Sequence, residues 1–244
     1  MTYTLIRFHR KRAKAAFTNI LSSLSTDKFD SVLIKPNVCG FYPPDLNLLR
    51  VLIKELCSKF NEVIIGETPS TMHSPKERFE SLGILDLSKE FNNVKVIDMI
   101  ESGVIEIAIP KHHAIKKLPL PKCLFEADFV INLARAGRHP STKVTIALKN
   151  LFGFVAEKRK YFKYHIRGIS KVVADVAKVV HPNLNIVEAN DHILVSEDPL
   201  IVDIVATKHY LHIDPLSVRH FQLVALDRGI RIRDILNNIT IKEL

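Results

Sequence analysis

The stretch "SVLIKPNVCGFYPPDLNLLRVLIKELCSKFNEVIIGE", residues 31–67, decides the fold class. It begins with a β-branched run that Pro36 stops, continues with an amphipathic helical pattern in "LNLLRVLIKELCSKF", and ends with a second apolar run in "EVIIGE". Apolar runs that alternate with helices are typical of a mostly parallel sheet. The stretch therefore predicts two parallel strands joined by a helix.

The same alternation continues along the chain. Further strands are predicted in "NVKVIDM", "EADFVINLA" and "LNIVEAN", and a helix is predicted in "GISKVVADVAKVV". Two more helices have start signals, a capping box at Ser74 and Glu77 and the pair Asp198–Pro199. The segment "GVIEIAIP" is a candidate for an added β-hairpin, and the last thirty or so residues are predicted to be helical cover. We therefore expect an α/β fold with a mostly parallel sheet, helices on both faces, and a single domain over residues 1–244.

Composition restricts the class of protein. The formal net charge of +9 and the pI near 9.4 favour anionic partners. No apolar run reaches the length that spans a bilayer, and the N-terminus lacks the pattern of a signal peptide, so we expect a cytoplasmic protein without a membrane partner. Cys39, Cys57 and Cys123 lie far apart, which argues against a zinc site or an iron–sulfur cluster. The oligomeric state is left open.

The four clearest predicted strands end in a polar side chain, at Lys35, Glu67, Asn132 and Glu188. In an open parallel sheet, ligands bind outside the carboxyl ends of the strands. If the four strands are parallel neighbours, these side chains line one crevice. The alternative is that strand ends meet loops, which are polar without any shared site.

The middle of the stretch "RHPSTKVTIALKNLFGF", residues 138–154, is predicted to form a buried helix. Thr142, Thr145 and Lys149 fall three and four residues apart and would share one stripe of that helix. Arg138 and His139 precede its first turn, where backbone N–H groups favour an anion. Lys149 then either pairs with a carboxylate, meets a bound carboxylate or phosphate, or lies along apolar surface with its ammonium in water.

Two aspartates lie in predicted helices that are largely apolar. Asp203 is the only polar side chain between Pro199 and Ala206, and a carboxylate there is costly unless it is paired, hydrogen-bonded or protonated. It is either a functional group or a structural one, in a buried salt bridge or capping a nearby backbone. Asp175 is predicted to lie on the exposed side of its helix, paired with Lys171.

Several of these stretches, in this order, resemble the domain of unknown function 362 family. They are "VLIKPNV", "VIIGE", "ADFVINL", "HPSTKVTIALKNLFG", "NLNIVEA" and "EDPLIVDIVA". The resemblance runs from Ser31 to His209. The residues that match the family's motifs are Lys35, Pro36, Asn37, Glu67, His139, Thr145, Lys149, Asn150, His165 and Asp203.

The resemblance implies a cytoplasmic, mainly archaeal and bacterial family without an agreed biochemical role, some of whose members are labelled iron–sulfur proteins. This chain lacks their cluster cysteines, so an iron–sulfur cluster is not expected in it. Of the two basic residues usual before the Thr-His pair, Arg135 is kept and Gly137 replaces the second, with Arg138 beside it. The family's usual glycine-rich segment is replaced by "ANDHILVSED".

Three functions are compatible with these features. The favoured one is an enzyme that binds a small anionic metabolite, with Glu67, His139 or Asp203 as general acid or base. Alternatives are a nucleic-acid-binding protein that uses the basic segment "RFHRKRAK", and a redox accessory protein that uses Cys39. A divalent metal held by Glu67, Glu188, Asp203 and His139 is also conceivable. The predicted ligand-binding residues are Lys35, Asn37, Asn132, Arg138, Thr142, Thr145, Lys149, Asn150 and His165.

Overall fold

Twelve strands and eleven helices are present in the computed structural model, which describes residues 2–24 and 29–244. The strands are β1 (Tyr3–His9), β2 (Ser31–Pro36), β3 (Glu62–Glu67), β4 (Val94–Asp98), β5 (Val104–Ala108), β6 (Lys117–Pro121), β7 (Phe129–Arg135), β8 (Gly137–His139), β9 (Lys143–Thr145), β10 (Leu184–Ala189), β11 (His192–Ser196) and β12 (Ile239–Glu243). The helices are α1 (Ala13–Ser23), α2 (Leu46–Cys57), α3 (Pro75–Ser81), α4 (Ile84–Ser88), α5 (Cys123–Glu126), α6 (Ala147–Leu151), α7 (Lys160–Tyr164), α8 (Ile169–Val176), α9 (Pro199–His209), α10 (Arg219–Asp227) and α11 (Ile232–Asn238).

Eight strands form the central sheet, in the order β12-β1-β11-β10-β7-β2-β3-β4. The stretch that predicted the fold forms β2, α2 and β3, and the two strands pair in parallel with Val32 opposite Val63. Strands β3 and β4, β2 and β7, β7 and β10, and β1 and β12 are also parallel, whereas β11 is antiparallel to both its neighbours. The α/β fold with a mostly parallel sheet is confirmed.

Helices cover both faces of this sheet, as predicted. Along β2, Val32 and Ile34 pack into a core with α1 and α2, while Leu33 packs into a second core with α6, α8 and α9. The alternation arises because successive side chains of a strand point to opposite faces. The predicted hairpin is confirmed as well, since β5 and β6 pair antiparallel outside the main sheet. Within the described residues, no helix is long and apolar enough to cross a bilayer.

Strands β11 and β12 of the central sheet were not predicted from the sequence. The C-terminal residues are not only helical cover, because Ile239–Glu243 adds β12 to the edge of the sheet beside β1. The segment "HILVS" forms β11, which inserts between β1 and β10. β12 and β11 both pair with β1, which lies far along the chain, as in the pairing of Ile6 with Val195, and on its other side β11 forms a hairpin with β10. Local pattern alone does not reveal such pairings.

The predicted surface pair of Asp175 and Lys171 is wrong. Asp175 is fully buried, and its carboxylate accepts hydrogen bonds from the backbone N–H groups of His113, Ala114 and Ile115 at 2.7–2.9 Å. The loop before β6 therefore covers the side of α8 that we expected to face water. Its uncapped N–H groups are satisfied by this one carboxylate.

Candidate functional site

A cavity of about 250 Å³ opens at the carboxyl ends of β2 and β3. Its wall is built by the loops that follow these two strands, by the β8–β9 hairpin with α6, and by α7 with the turn after it. Such a position is where open parallel sheets bind ligands. The lining residues with polar side chains that the site depends on are Lys35, Asn37, Glu67, Thr68, His139, Thr145, Lys149, Asn150, Lys160 and His165.

An ion pair between Lys35 and Glu67 forms part of the cavity wall. Lys35 Nζ lies 2.9 Å from Glu67 Oε2 and donates a second hydrogen bond to Asn150 Oδ1 at 2.7 Å. Lys35 is 1% exposed and Glu67 is 2% exposed. Glu67 also accepts hydrogen bonds from the backbone N–H groups of Val38 and Thr68. This pair is thus internally satisfied and contributes little net charge to the cavity.

Three asparagines connect this wall to the sheet behind it. Asn150 Nδ2 donates to Asn132 Oδ1 at 2.7 Å, and Asn132 Nδ2 donates to Asn185 Oδ1 at 2.8 Å and to the carbonyl of Ala147. Asn132 therefore does not line the cavity but holds α6 against β7. Asn150 reaches both the network and the cavity, and so links the position of α6 to that of Lys35.

Lys149 lies on α6 and lines the cavity. Within the described chain its Nζ makes no ion pair, since Glu67 is bonded to Lys35 and Asp203 to backbone N–H groups. Burial, with a smaller contribution from Lys35, lowers the pKa of Lys149 to about 8. The ammonium of Lys149 thus loses hydration without gaining a carboxylate from the described chain.

A second cavity amine, Lys160, was missed in the sequence. Its side chain is buried, and Nζ donates to Thr68 Oγ1 at 2.6 Å and to the carbonyl of Val155 at 3.3 Å. Burial lowers its pKa to about 8, against an opposing effect of Glu67. Lys160 lies in the basic run "EKRKYFK", and a charged run of this kind usually forms a solvated face.

Two imidazoles stand beside Lys149. Burial, followed by the charge of Lys149, lowers the pKa of His139 to about 4 and also lowers the pKa of His165. Both rings are therefore neutral at pH 7. The backbone N–H of Ser141 donates to His139 Nδ1 at 3.2 Å, so the neutral ring carries its proton on Nε2. The ring of His165 stacks on Tyr161, with 4.1 Å between centroids.

The helix predicted in the middle of residues 138–154 is wrong in its first part, which carries Thr142 and Thr145. Residues 137–145 form the β8–β9 hairpin, with Lys143 at a φ of 64°, and α6 begins only at Ala147. The stripe of Thr142, Thr145 and Lys149 therefore does not exist as a helical face. Thr145 and Lys149 still reach the cavity, whereas Thr142 donates to the carbonyl of Val144 and is buried elsewhere.

Arg138 and Asp203 also lie outside the cavity lining. Arg138 donates to the carbonyl of Leu211 at 2.6 Å. Asp203 is fully buried, and its two oxygens accept hydrogen bonds from the N–H groups of Ala147 and Leu148 at 2.8 and 3.0 Å. Burial raises its pKa well above the usual value. Asp203 thus fixes the first turn of α6. Of the functional and structural roles considered for it, the structure shows the structural one, in which it caps backbone N–H groups.

Glu188, like Asn132, does not line the cavity. It accepts hydrogen bonds from the backbone N–H of Asp45 and from Arg10. Of the four strand ends predicted to line one crevice, Lys35 and Glu67 line the cavity, and Asn132 and Glu188 do not. Over residues 2–24 and 29–244, no group of three or more His, Cys, Asp or Glu side chains is placed to hold a metal ion.

The structure also describes the residues on which the two alternative functions depend, Cys39 for a redox role and the basic N-terminal segment for nucleic-acid binding. Burial, with the charge of Glu67, raises the pKa of Cys39 to about 12, so its thiol stays protonated and is a poor nucleophile. In the basic N-terminal segment, Arg7 pairs with Glu243, and Arg10 pairs with Glu188 and Asp45. Binding of nucleic acid by this segment stays a prediction.

Comparison with known proteins gives three similarities. The model of a family described as a domain of unknown function (DUF362) matches residues 32–191, a span that contains all the cavity residues named above. A thylakoid-associated protein of Synechocystis sp. is 25% identical over 173 residues, covering 65% of this chain and 51% of that protein. The lactate racemase apoprotein from Thermoanaerobacterium thermosaccharolyticum has a TM-score of 0.48 at 13% identity, covering 80% of this chain and 54% of that one. The chain spans about half the length of both proteins.

Proposed function

We propose that this chain, which belongs to the domain of unknown function (DUF362) family, is an enzyme that binds a small carboxylate- or phosphate-bearing metabolite in the cavity. The observation that carries the proposal is the partly buried ammonium of Lys149, which faces the cavity without a carboxylate partner in the described chain. Among the described residues, the cavity is lined by the three amines of Lys35, Lys149 and Lys160 and by one carboxylate, that of Glu67. This excess of positive charge is complementary to an anion.

The two imidazoles supply the proton chemistry in this proposal. His139 has Nδ1 occupied by the N–H of Ser141, so it offers Nε2–H as a donor or general acid. The ring of His165 makes no hydrogen bond to a described residue and is neutral at pH 7, so it is the better candidate for a general base. Glu67 holds Lys35 in place, and Asp203 positions Lys149 through α6. The reaction itself is not assigned.

We also propose the cytoplasm as its compartment. Cys39, Cys57 and Cys123 are all free thiols, the state that a reducing compartment maintains.

Replacing Lys149 by methionine is expected to weaken the binding of succinate or methyl phosphate by roughly 10-fold to 100-fold, the usual effect of removing a charged hydrogen-bond donor. Isothermal titration calorimetry at pH 7 measures it. Lys171→Met, which removes one exposed positive charge outside the cavity, is the matched control and should leave both affinities unchanged. Equal weakening in the two variants, or no binding of either anion to the wild type, would contradict the proposal.

The affinity for an anion should also decrease as the pH rises from 7 to 9, a range in which ordinary lysines stay charged. With a pKa of about 8 in the free protein, Lys149 is mostly protonated at pH 7 and mostly neutral at pH 9. A bound anion raises that pKa, so the affinity for succinate, whose charge is constant in this range, should drop roughly tenfold between pH 7 and 9. In Lys149→Arg the side chain stays charged up to pH 9. This variant should therefore lose the part of the decline in succinate affinity that comes from Lys149 and keep only the part that comes from Lys160. A flat wild-type profile would exclude contact between Lys149 and the ligand.

A further inference from the structure

Three large apolar side chains stand exposed at the mouth of the cavity. Phe41 is 76% exposed, Met72 is 80% exposed and Tyr161 is 54% exposed, and all three line the cavity. They come from three separate segments, the loop after β2, the loop after β3 and helix α7. Single exposed apolar residues are common, but several that converge on one opening indicate a surface that is covered in the functional state.

Two residues of this apolar rim, which consists of Phe41, Met72 and Tyr161, lie next to the histidines of the cavity. Tyr161 stacks on His165 at 4.1 Å between centroids, and Phe41 lies 6.1 Å from the ring of His139. Each exposed aromatic ring is thus the outer neighbour of one of the two imidazoles that flank Lys149. A ligand whose charged end reaches Lys149 must extend past these rings to leave the cavity.

We propose that the ligand is an aromatic anion, with its carboxylate or phosphate at Lys149 and a planar ring packed against Phe41, Met72 and Tyr161. This inference rests on the proposed function and narrows its substrate class. Aromatic rings and methionine sulfur both pack favourably against a planar ring, and the two aromatic side chains lose little conformational freedom on binding. A purely polar metabolite would leave the same rim in water.

The test compares anions that differ only in the ring. Phenyl phosphate against methyl phosphate and benzoate against acetate, titrated by calorimetry into the full chain, should show roughly tenfold tighter binding of the aromatic member of each pair. Phe41→Ala and Tyr161→Ala should remove this preference, measured as the ratio of the two affinities within each variant. Phe125→Ala is the matched control, since Phe125 is exposed on α5 and does not line the cavity. Adenosine monophosphate against ribose 5-phosphate distinguishes a nucleobase from another ring.

The outcomes separate the two proposals. If methyl phosphate binds in a Lys149-dependent manner and the ring adds nothing, the aromatic ligand is excluded and the proposed function stands. If no anion of either kind binds, both are overturned. If the chain forms a dimer in sedimentation experiments and Phe41→Ala or Tyr161→Ala dissolves it, the rim is an interface between copies, and the inference is wrong.

Discussion

Replacing Lys35 by methionine is expected to destabilise the protein by about 3–5 kcal/mol, the usual cost of removing one partner of a buried ion pair. Lys35 Nζ binds Glu67 Oε2, Asn150 Oδ1 and the carbonyl of Pro36, and both charged side chains are almost fully excluded from water. Methionine keeps most of the volume but leaves the carboxylate of Glu67 buried beside an apolar group. For a chain of this length the melting temperature should fall by roughly 6–20 °C.

The double variant Lys35→Met/Glu67→Gln separates loss of the charge pair from loss of packing. Glutamine keeps an oxygen for a backbone N–H of Val38 or Thr68 and removes the buried charge. The double variant should therefore be more stable than Lys35→Met alone when both are unfolded in urea. A loss below 1 kcal/mol for Lys35→Met would show that Glu67 reaches water or becomes protonated at little cost.

The meeting of Lys35 and Glu67 was predictable, whereas the partners of Asn132 and Glu188 were not. Parallel pairing of β2 with β3 brings their carboxyl ends together, so two polar side chains after two neighbouring strands must lie close. Asn132 sits at the same level, but its side chain is engaged by Asn150 and Asn185. Glu188 lies three residues beyond that level, opposite Arg135, and its carboxylate is engaged by Arg10 and by the backbone N–H of Asp45.

The error in residues 138–154 has a different cause. The run "STKVTIALKNL" fits both a period near four and an alternation of two, so pattern alone does not decide between a helix and a hairpin. The helix starts where Asp203, more than fifty residues further along the chain, offers its oxygens to two backbone N–H groups. Asp175 repeats this arrangement with a loop some sixty residues away. The apolar neighbours of Asp203 predicted its burial, whereas Asp175 was predicted to be exposed, and the distant partners of both cannot be read from the local sequence.

Replacing Asp203 by alanine should cost about 3–5 kcal/mol, because it leaves the buried N–H groups of Ala147 and Leu148 without acceptors. Asp203→Asn keeps one oxygen acceptor and turns its amide group toward the other N–H, so its cost should be intermediate. Asp214→Ala removes an exposed carboxylate that caps a single turn through the N–H of Leu216, and should cost only about 1 kcal/mol. Urea unfolding of the three variants gives this order.

The same variants test whether Asp203 acts through α6 rather than on the ligand. Lys149 lies one residue after Leu148, so loss of the carboxylate releases the turn that aims its ammonium into the cavity. We expect Asp203→Asn, under conditions where it remains folded, to weaken succinate binding and to reduce the decline in affinity between pH 7 and 9, because the part of that decline that belongs to Lys149 requires contact between its ammonium and the anion. A residue that acts by positioning Lys149 changes both quantities together. If Asp203→Asn weakened binding and left the decline at its wild-type size, Lys149 would still contact the anion, and Asp203 would not act through α6.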